Sequence, residues 1–363
     1  MEAQDLIYLI SCAVNGVTPD AERVADMDLD AIFSLASRHM LAATVAPALK
    51  AAGIQDKRFA KALEHSALKN STMDMEMDAV FAALTDAGIW HMPLKGIVLQ
   101  HLYPIYGMRQ MSDHDILFDA DRAEDVKTIM EGLGFSTEHF GTSNHDVYHK
   151  EPVSNFEMHS ALFGATSNEV FMAYFKNTKS RLIRDGADGY GYHFTPEDFY
   201  IYILAHEYKH FENGGTGLRS LLDIYVYLTH TTLKMSYVRE EVKKLGISSF
   251  EHMNRRLALD LFSGRELDEK EQKLLNYIMS SGTYGTMKNR VSYQIKKKGR
   301  WGYFWSRVFK PYGLMIGQYP ILKKLPVLLP FFWVVRLISA VINKRDRVRY
   351  QLGAVLRIKK HSR

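Results

Sequence analysis

Residues 92–118 read MPLKGIVLQHLYPIYGMRQMSDHDILF. Two short apolar runs, IWHMPLK from Ile89 and DHDILFD from Asp113, have the length and composition of strands, and GIVLQHLY between them reads as a short helix. Asp113 and Asp115 are two apart on the second expected strand, which turns both carboxylates to one face. Carboxylates converging on one face repel each other unless a cation lies between them, and a site of oxygen donors alone suits Mg²⁺ or Mn²⁺. An Asp-x-Asp at a strand start also fits a solvated edge or a cap, so its neighbours decide. Lys95-Gly96 stands at a strand-to-helix junction, where free backbone N–H groups and a residue without Cβ can approach phosphate oxygens. Arg109 lies four residues before Asp113, and Glu157 of NFEMHSAL sits on a later expected strand that can bring a third carboxylate beside the pair. Three carboxylates, a Lys-Gly turn and an arginine suit a two-metal phosphoryl-transfer site, one ion on the acceptor hydroxyl and the other on the leaving pyrophosphate.

On either side of this unit the pattern is helical. From Leu6 to about Ala87 apolar residues recur at three and four, which predicts a bundle of about four helices, and Gly88 stops the last. After the Asp-x-Asp strand, ADRAEDVKTIMEGLGF reads as a helix closing at Gly134, followed by strands at NHDVYHKE and SNFEMHSAL. The order between Trp90 and Leu162 is strand, helix, strand, helix, strand, strand: a small α/β sheet unit. Helices resume at TPEDFYIYILAHEYKHF, capped by Thr195 with Pro196 in the first turn, break at Gly214-Gly215, and continue through LRSLLDIYVYLTH to about Met279. The expected organisation is an N-terminal helical region (1–88), the α/β core (89–165), a C-terminal helical domain (166–285) and a basic, aromatic-rich tail (286–363).

The opening stretch resembles the signature of the uncharacterised nucleotidyltransferase family, which runs Leu-Lys-Gly, Leu-Tyr-Pro, Arg, then Asp-x-Asp-Leu/Ile-Leu. That family belongs to the DNA polymerase β-like nucleotidyltransferase superfamily. FEMHSAL is similar to its acidic-x-His strand, EDFYIYILAHEYKHF with LRSLLDIYVYL to its helical segment of paired His, Arg and Asp, and YPILKKLPVLLPFFWVVR to its C-terminal segment. The likeness runs from about Trp90 to Arg336. It implies an α+β fold: a small mixed-sheet nucleotidyltransferase core flanked by helical regions. It also implies metal ligation by Asp113, Asp115 and Glu157, with Lys95 and Gly96 toward a nucleoside triphosphate (NTP). Arg109 would neutralise phosphate charge or brace the Asp pair, or else pair with Glu157. The proton of the acceptor hydroxyl would pass to Glu157 or Asp115. The superfamily usually has Gly-Ser or Gly-Gly where this chain has Lys-Gly.

A second motif competes. His206, Glu207 and His210 in AHEYKHF have the spacing of a helical zinc-protease site, but Lys209 places a cation beside a would-be ligand and Asn213 stands where the extended motif has glycine. Two other readings are open for these histidines: with Arg219 and Asp223 they face the catalytic cleft, or the four form a buried polar cluster, Arg219 and Asp223 pairing at i, i+4. His159 points to the same face as Glu157 and is expected near the metals.

The net charge of +5 conceals an asymmetry. From Thr286 onward there are 19 Lys and Arg against one acid, Asp346, so the tail carries +18 and the rest of the chain −13. QIKKKGRWGYFWSRVFKPYG interleaves cations with aromatics, which suits an anionic membrane surface or nucleic acid, or docking on the acidic body. LPVLLPFFWVVRLISAVI contains two prolines and Arg336, against a spanning helix. The single cysteine, Cys12, excludes an internal disulfide and a Cys-based zinc site and is expected to fill core space. The acidic N-terminus has no secretory pattern, so a cytoplasmic protein, with membrane association through the tail, is expected. Besides an active nucleotidyltransferase, the residues admit a non-catalytic binding descendant of that fold, or an Asp-x-Asp glycosyltransferase.

Overall fold

A computed structural model of the chain describes residues 1–165, 167–283 and 285–343. They form two compact units: residues 1–208 with 216–283, and residues 209–215 with the described chain after 284. The three regions distinguished between residues 1 and 285 lie almost wholly in the first unit.

The N-terminal periodicity resolves into five helices: α1 (Glu2–Asn15), α2 (Ala21–Ala25), α3 (Leu29–Arg38), α4 (Ala42–Ala51) and the 30-residue α5 (Lys57–Asp86). Asp20, Asp28 and Asp56 start α2, α3 and α5 by accepting first-turn backbone N–H groups. Leu6, Leu9 and Ile10 of α1, Ile32 of α3 and Val45 and Leu49 of α4 are buried in one core, which Cys12 helps to fill. Each such side chain contributes about 1.5–3 kcal/mol, so the apolar faces hold these helices together.

The sheet follows. β1 (His91–Pro93), α6 (Gly96–Leu99), β2 (His114–Phe118), α7 (Ala123–Gly132), β3 (Ser136–His139), β4 (His145–Lys150) and β5 (Ser154–His159) come in that order. The strands lie β1-β2-β5-β4-β3, with β2 and β5 parallel and the other neighbours antiparallel. This is the mixed sheet with flanking helices that the resemblance implied. β2 starts at His114, one residue later than the sequence pattern suggests, and β3 was not anticipated.

Alternation along the strands divides the sheet into two chemically different faces. Ile116, Phe118, Tyr148, Phe156 and Met158 pack on Val80 and Leu84 of α5 and on Val126 and Met130 of α7. The intervening residues, Asp115, Leu117, His145, Glu157 and His159, take the other face. There Leu117 joins the larger core with Phe163, Tyr202 and Leu204.

Beyond the sheet come α8 (Glu169–Tyr174), a ribbon of β6 (Leu182–Arg184) and β7 (Tyr192–Phe194), then α9 (Pro196–Glu212), α10 (Leu218–His230), α11 (Met235–Lys244), α12 (Ser248–Phe262) and α13 (Glu269–Ser281). The second unit holds α14 (Met287–Val308), broken at Gly299 (φ 70°), α15 (Tyr312–Gln318) and α16 (Leu329–Asn343). Trp301, Trp305, Phe309 and Phe331 are exposed there, and residues 344–363 of the basic tail lie outside the described residues. Among the described residues no helix is long and apolar enough to cross a membrane.

One titratable group is built into the helical scaffold. His39, at the end of α3, is fully buried, and its Nδ1 accepts the Leu218 N–H at 3.0 Å, capping the start of α10. Burial, reinforced by Arg38, pulls its pKa from 6.5 down to about 4. The unfolded chain therefore binds the proton more tightly. The stability this neutral ring contributes is complete above pH 6.5 and is lost as pH falls toward 4. Urea unfolding should show a loss of about 2 kcal/mol from this group between pH 7 and pH 5. His39→Gln keeps an acceptor that does not titrate and should flatten that part of the pH dependence.

Candidate active site

Parallel pairing sets Asp115, the second residue of β2, beside Glu157 of β5. Lys95 Nζ reaches Asp115 Oδ1 at 2.8 Å, and His159 Nε2 reaches the same oxygen at 2.7 Å. Burial alone would raise the Asp115 pKa, but Lys95 and His159 outweigh it and hold the carboxyl well below the usual carboxylate range. The effect is reciprocal. Burial opposes the charge on both Lys95 and His159, and the carboxylates around them override it, so both bases sit above their ordinary values. Glu157 lies 3.5 Å from His159 Nε2 and 3.7 Å from His145 Nε2, and the contact with His159 lowers its pKa.

Asp113 behaves in the opposite way. Burial first, then the charges of Asp115 and Glu157, push its pKa up to about 6, against the pull of Lys95 and Arg219. Asp113 makes no ion pair among the described residues, whereas Asp115 makes two.

Lys95 occupies the turn between β1 and α6 at φ 40°, ψ −109°. A side chain in so sparsely populated a region costs about 1–3 kcal/mol. The Val98 and Leu99 N–H groups bond to its carbonyl at 3.2 and 3.0 Å, and with the ion pair to Asp115 they hold it there. Gly96 is needed for close approach, though the neighbour is protein. A Cβ at this position would stand 2.6 Å from Arg109 Nη1 and 2.6 Å from Met111 Cε.

Arg109 has a partner that its sequence context did not suggest. Its Nε and Nη2 donate to the two carboxylate oxygens of Asp223 at 2.8 and 2.9 Å, and the Tyr103 hydroxyl donates to Asp223 Oδ1 at 2.8 Å. It therefore pairs with neither Glu157 nor the Asp-x-Asp carboxylates. The expected helical pairing of Arg219 with Asp223 gives way as well, since Arg219 Nη1 donates to the Gln110 carbonyl at 2.8 Å. Similar bonds fix the rest of the segment leading into β2. Thr44 Oγ1 donates to the Met108 carbonyl at 2.8 Å, Asn70 Nδ2 to Arg109 at 3.0 Å, and Lys69 Nζ to Ser112 at 3.0 Å. Gly107 (φ 89°) lets this loop lie on α5, where a Cβ would come within 2.7 Å of Ala67.

Of the paired histidines, His206 is half-buried with its ring 6.3 Å from that of Tyr202, and His210 is exposed and belongs to the second unit. Glu207 is buried. Its pKa is driven well above the carboxylate range by burial and by Asp223, against a hydrogen bond with Ser220. A zinc protease needs that glutamate open to a metal-bound water, and this one is buried.

Residues 25–263 match the profile of a family described as "Uncharacterised nucleotidyltransferase". The chain belongs to that family. No curated protein and no solved structure matches it. The nucleotidyltransferase span begins at the end of α2, so it takes in α4 and α5, whose Thr44, Lys69 and Asn70 hold the loop before β2, and it stops ahead of the basic tail.

Sequence reasoning missed these three residues and His145. Three residues join β4 to β5, and a hairpin that tight sets His145 opposite His159, as observed. That short connection was the available signal.

The Arg109–Asp223 pair is buried, with side chains 8% and 9% exposed. Removing one partner of such a pair costs on the order of 3–5 kcal/mol. Asp223→Ala should lower the denaturant midpoint accordingly, and an unchanged midpoint would show that the pair contributes little.

Proposed function

We propose that the chain transfers a nucleoside monophosphate from an NTP to a hydroxyl acceptor and releases pyrophosphate. The carrying observation is the convergence of three carboxylates, Asp115 in register with Glu157 and Asp113 two residues before it, with Asp113 making no ion pair among the described residues. The donor set suits Mg²⁺ or Mn²⁺, and the Tyr202 hydroxyl, buried near Lys95, Asp115 and Glu157, has no hydrogen-bond partner among the described residues. Asp113, Asp115 and Glu157 would hold the ion, which when bound neutralises phosphate charge and acidifies the acceptor hydroxyl.

The protein's own groups divide the remaining work. Lys95 keeps Asp115 ionised, and with its side chain 17% exposed it retains an edge for a phosphate oxygen. Gly96 admits Arg109 and Met111, and Arg109, locked on Asp223, positions the loop before β2. In the transfer, the acceptor oxygen bonds to the α-phosphorus as the bond from that phosphorus to pyrophosphate breaks. The acceptor's proton passes to Glu157, whose side chain is 25% exposed and so open to the acceptor. Asp115 is a poor receiver because Lys95 and His159 hold it deprotonated. A glycosyltransferase would want strand–helix alternation ahead of its Asp-x-Asp, whereas residues 2–86 form α1 to α5.

The test is incorporation of α-labelled ATP, GTP, CTP and UTP into a cell extract with Mg²⁺ or Mn²⁺, alongside NTP binding. Wild type should label an acceptor, and Asp113→Asn and Asp115→Asn should fall to background while remaining folded. NTP binding with no label from any nucleotide would instead identify a non-catalytic descendant.

The second unit favours a partner of its own. Exposed Trp301, Trp305, Phe309 and Phe331 stand in a segment dense in cations, and burial with nearby Arg307 and Arg336 pulls the Lys310 pKa down to about 8. We propose peripheral contact with an anionic membrane surface. The protein should co-sediment with phosphatidylserine vesicles but not with phosphatidylcholine ones, and release as salt rises. Tight binding to RNA with no vesicle binding would reassign the surface.

A further inference from the structure

We propose that His145, Glu157 and His159 form a second metal site, for a divalent transition ion of the Mn²⁺ or Zn²⁺ type, adjoining the carboxylate centre and sharing Glu157 with it. The three donors come from two adjacent strands of one sheet. His145 is in register with His159, and Glu157 lies two residues before His159 on the same face. Strands hold these side chains more rigidly than loops would, so the site is built before any ion arrives.

The spacing fits a small coordination sphere. One ligand atom from each residue can be chosen so that all three lie within 4.8 Å of one another. Glu157 Oε2 is 3.5 Å from His159 Nε2 and 3.7 Å from His145 Nε2. Donors about 2.1 Å from a tetrahedral ion stand about 3.4 Å apart, close to both separations from Glu157. The side chains of His145 and Glu157 are 30% and 25% exposed, which leaves an approach for the ion and a position for water or substrate, while that of His159 is 6% exposed and anchors the base of the site.

Donor chemistry separates this site from its neighbour. Two imidazoles and one carboxylate suit Zn²⁺, Mn²⁺ or Fe²⁺, whereas Mg²⁺ prefers oxygen donors and retained waters. His159 Nε2 shares a proton with Asp115 Oδ1 at 2.7 Å. An ion bound to that nitrogen takes the proton's place and draws Asp115 into its surroundings. The inference stands apart from nucleotidyl transfer, because ion binding needs no nucleotide.

The experiment titrates the nucleotide-free full chain with Co²⁺ and Zn²⁺, reading stoichiometry by calorimetry and coordination by the visible absorption of bound Co²⁺. Wild type should bind one equivalent with the strong visible bands of a low-coordinate N/O site, resistant to excess Mg²⁺. His145→Ala and His145→Gln, each checked for an unchanged melting profile, should weaken that binding by about a hundredfold or more. His206→Ala should leave it intact. No tight Co²⁺ or Zn²⁺ binding by wild type, undiminished binding in both His145 variants, or loss in His206→Ala instead would each overturn the proposal. Activity need not enter: a chain that incorporates label but binds no transition ion would sink this site alone, and the reverse would sink only the transferase reading.

Discussion

A carboxylate placed on a buried strand, away from water, has to be answered by positive charge or it takes up a proton. Asp115 is answered twice, by Lys95 from the β1–α6 turn and by His159 from β5. Much of the surrounding architecture serves that arrangement. The parallel pairing of β2 with β5 brings His159 within reach, and the strained turn at Lys95 aims its ammonium inward. Glu157 faces His145 and His159, which leaves Asp113 the carboxylate without an ion pair among the described residues. The division explains how three similar carboxylates come to differ in proton affinity: Asp115 is held ionised, and Asp113 is lifted to about 6.

The N-terminal helices belong to the site as much as the sheet does. The loop from Tyr103 to Ser112 has backbone carbonyls to satisfy, and donors from α4, α5 and α10 satisfy those of Met108, Arg109, Gln110 and Ser112. Buried carbonyls left without such donors would cost about 1–3 kcal/mol each. The long α5 also carries Asp74, which accepts from Gln100 and Tyr106 on either side of the turn leading into this loop. Asp113 therefore stands where it does because helices remote in sequence hold the peptide ahead of it.

The legible part of this molecule was what short-range patterning writes. The strand carrying Asp115 announced itself as a short apolar run, and the helices by their period. β3 did not, because it is an edge strand with exposed polar residues, STEH, and pairs only with β4. β6 and β7, three residues each, are too short to show a period. Long-range partners were harder still. Asp223 in the apolar segment LRSLLDIYVYL had to find a cation, and the i, i+4 rule pointed to Arg219. The fold supplied Arg109, 114 residues away, in a bidentate geometry that a helical neighbour does not offer.

The tie between Arg109 and Asp223 also governs how the molecule can move. Drawing α10 away from the loop before β2 would strand two charges in a dry interior, so those two elements travel as one rigid body. The opposite rim is built differently. Residues 141–143, between β3 and β4, are exposed, and His145 lies half-buried at the start of the strand they lead into. Asn144, in the same loop, ties it to the residues just after β5: its carbonyl accepts from the Ser160 and Ala161 N–H groups and its Nδ2 donates to the Ala161 carbonyl, so a short exposed loop is nonetheless anchored beside His159.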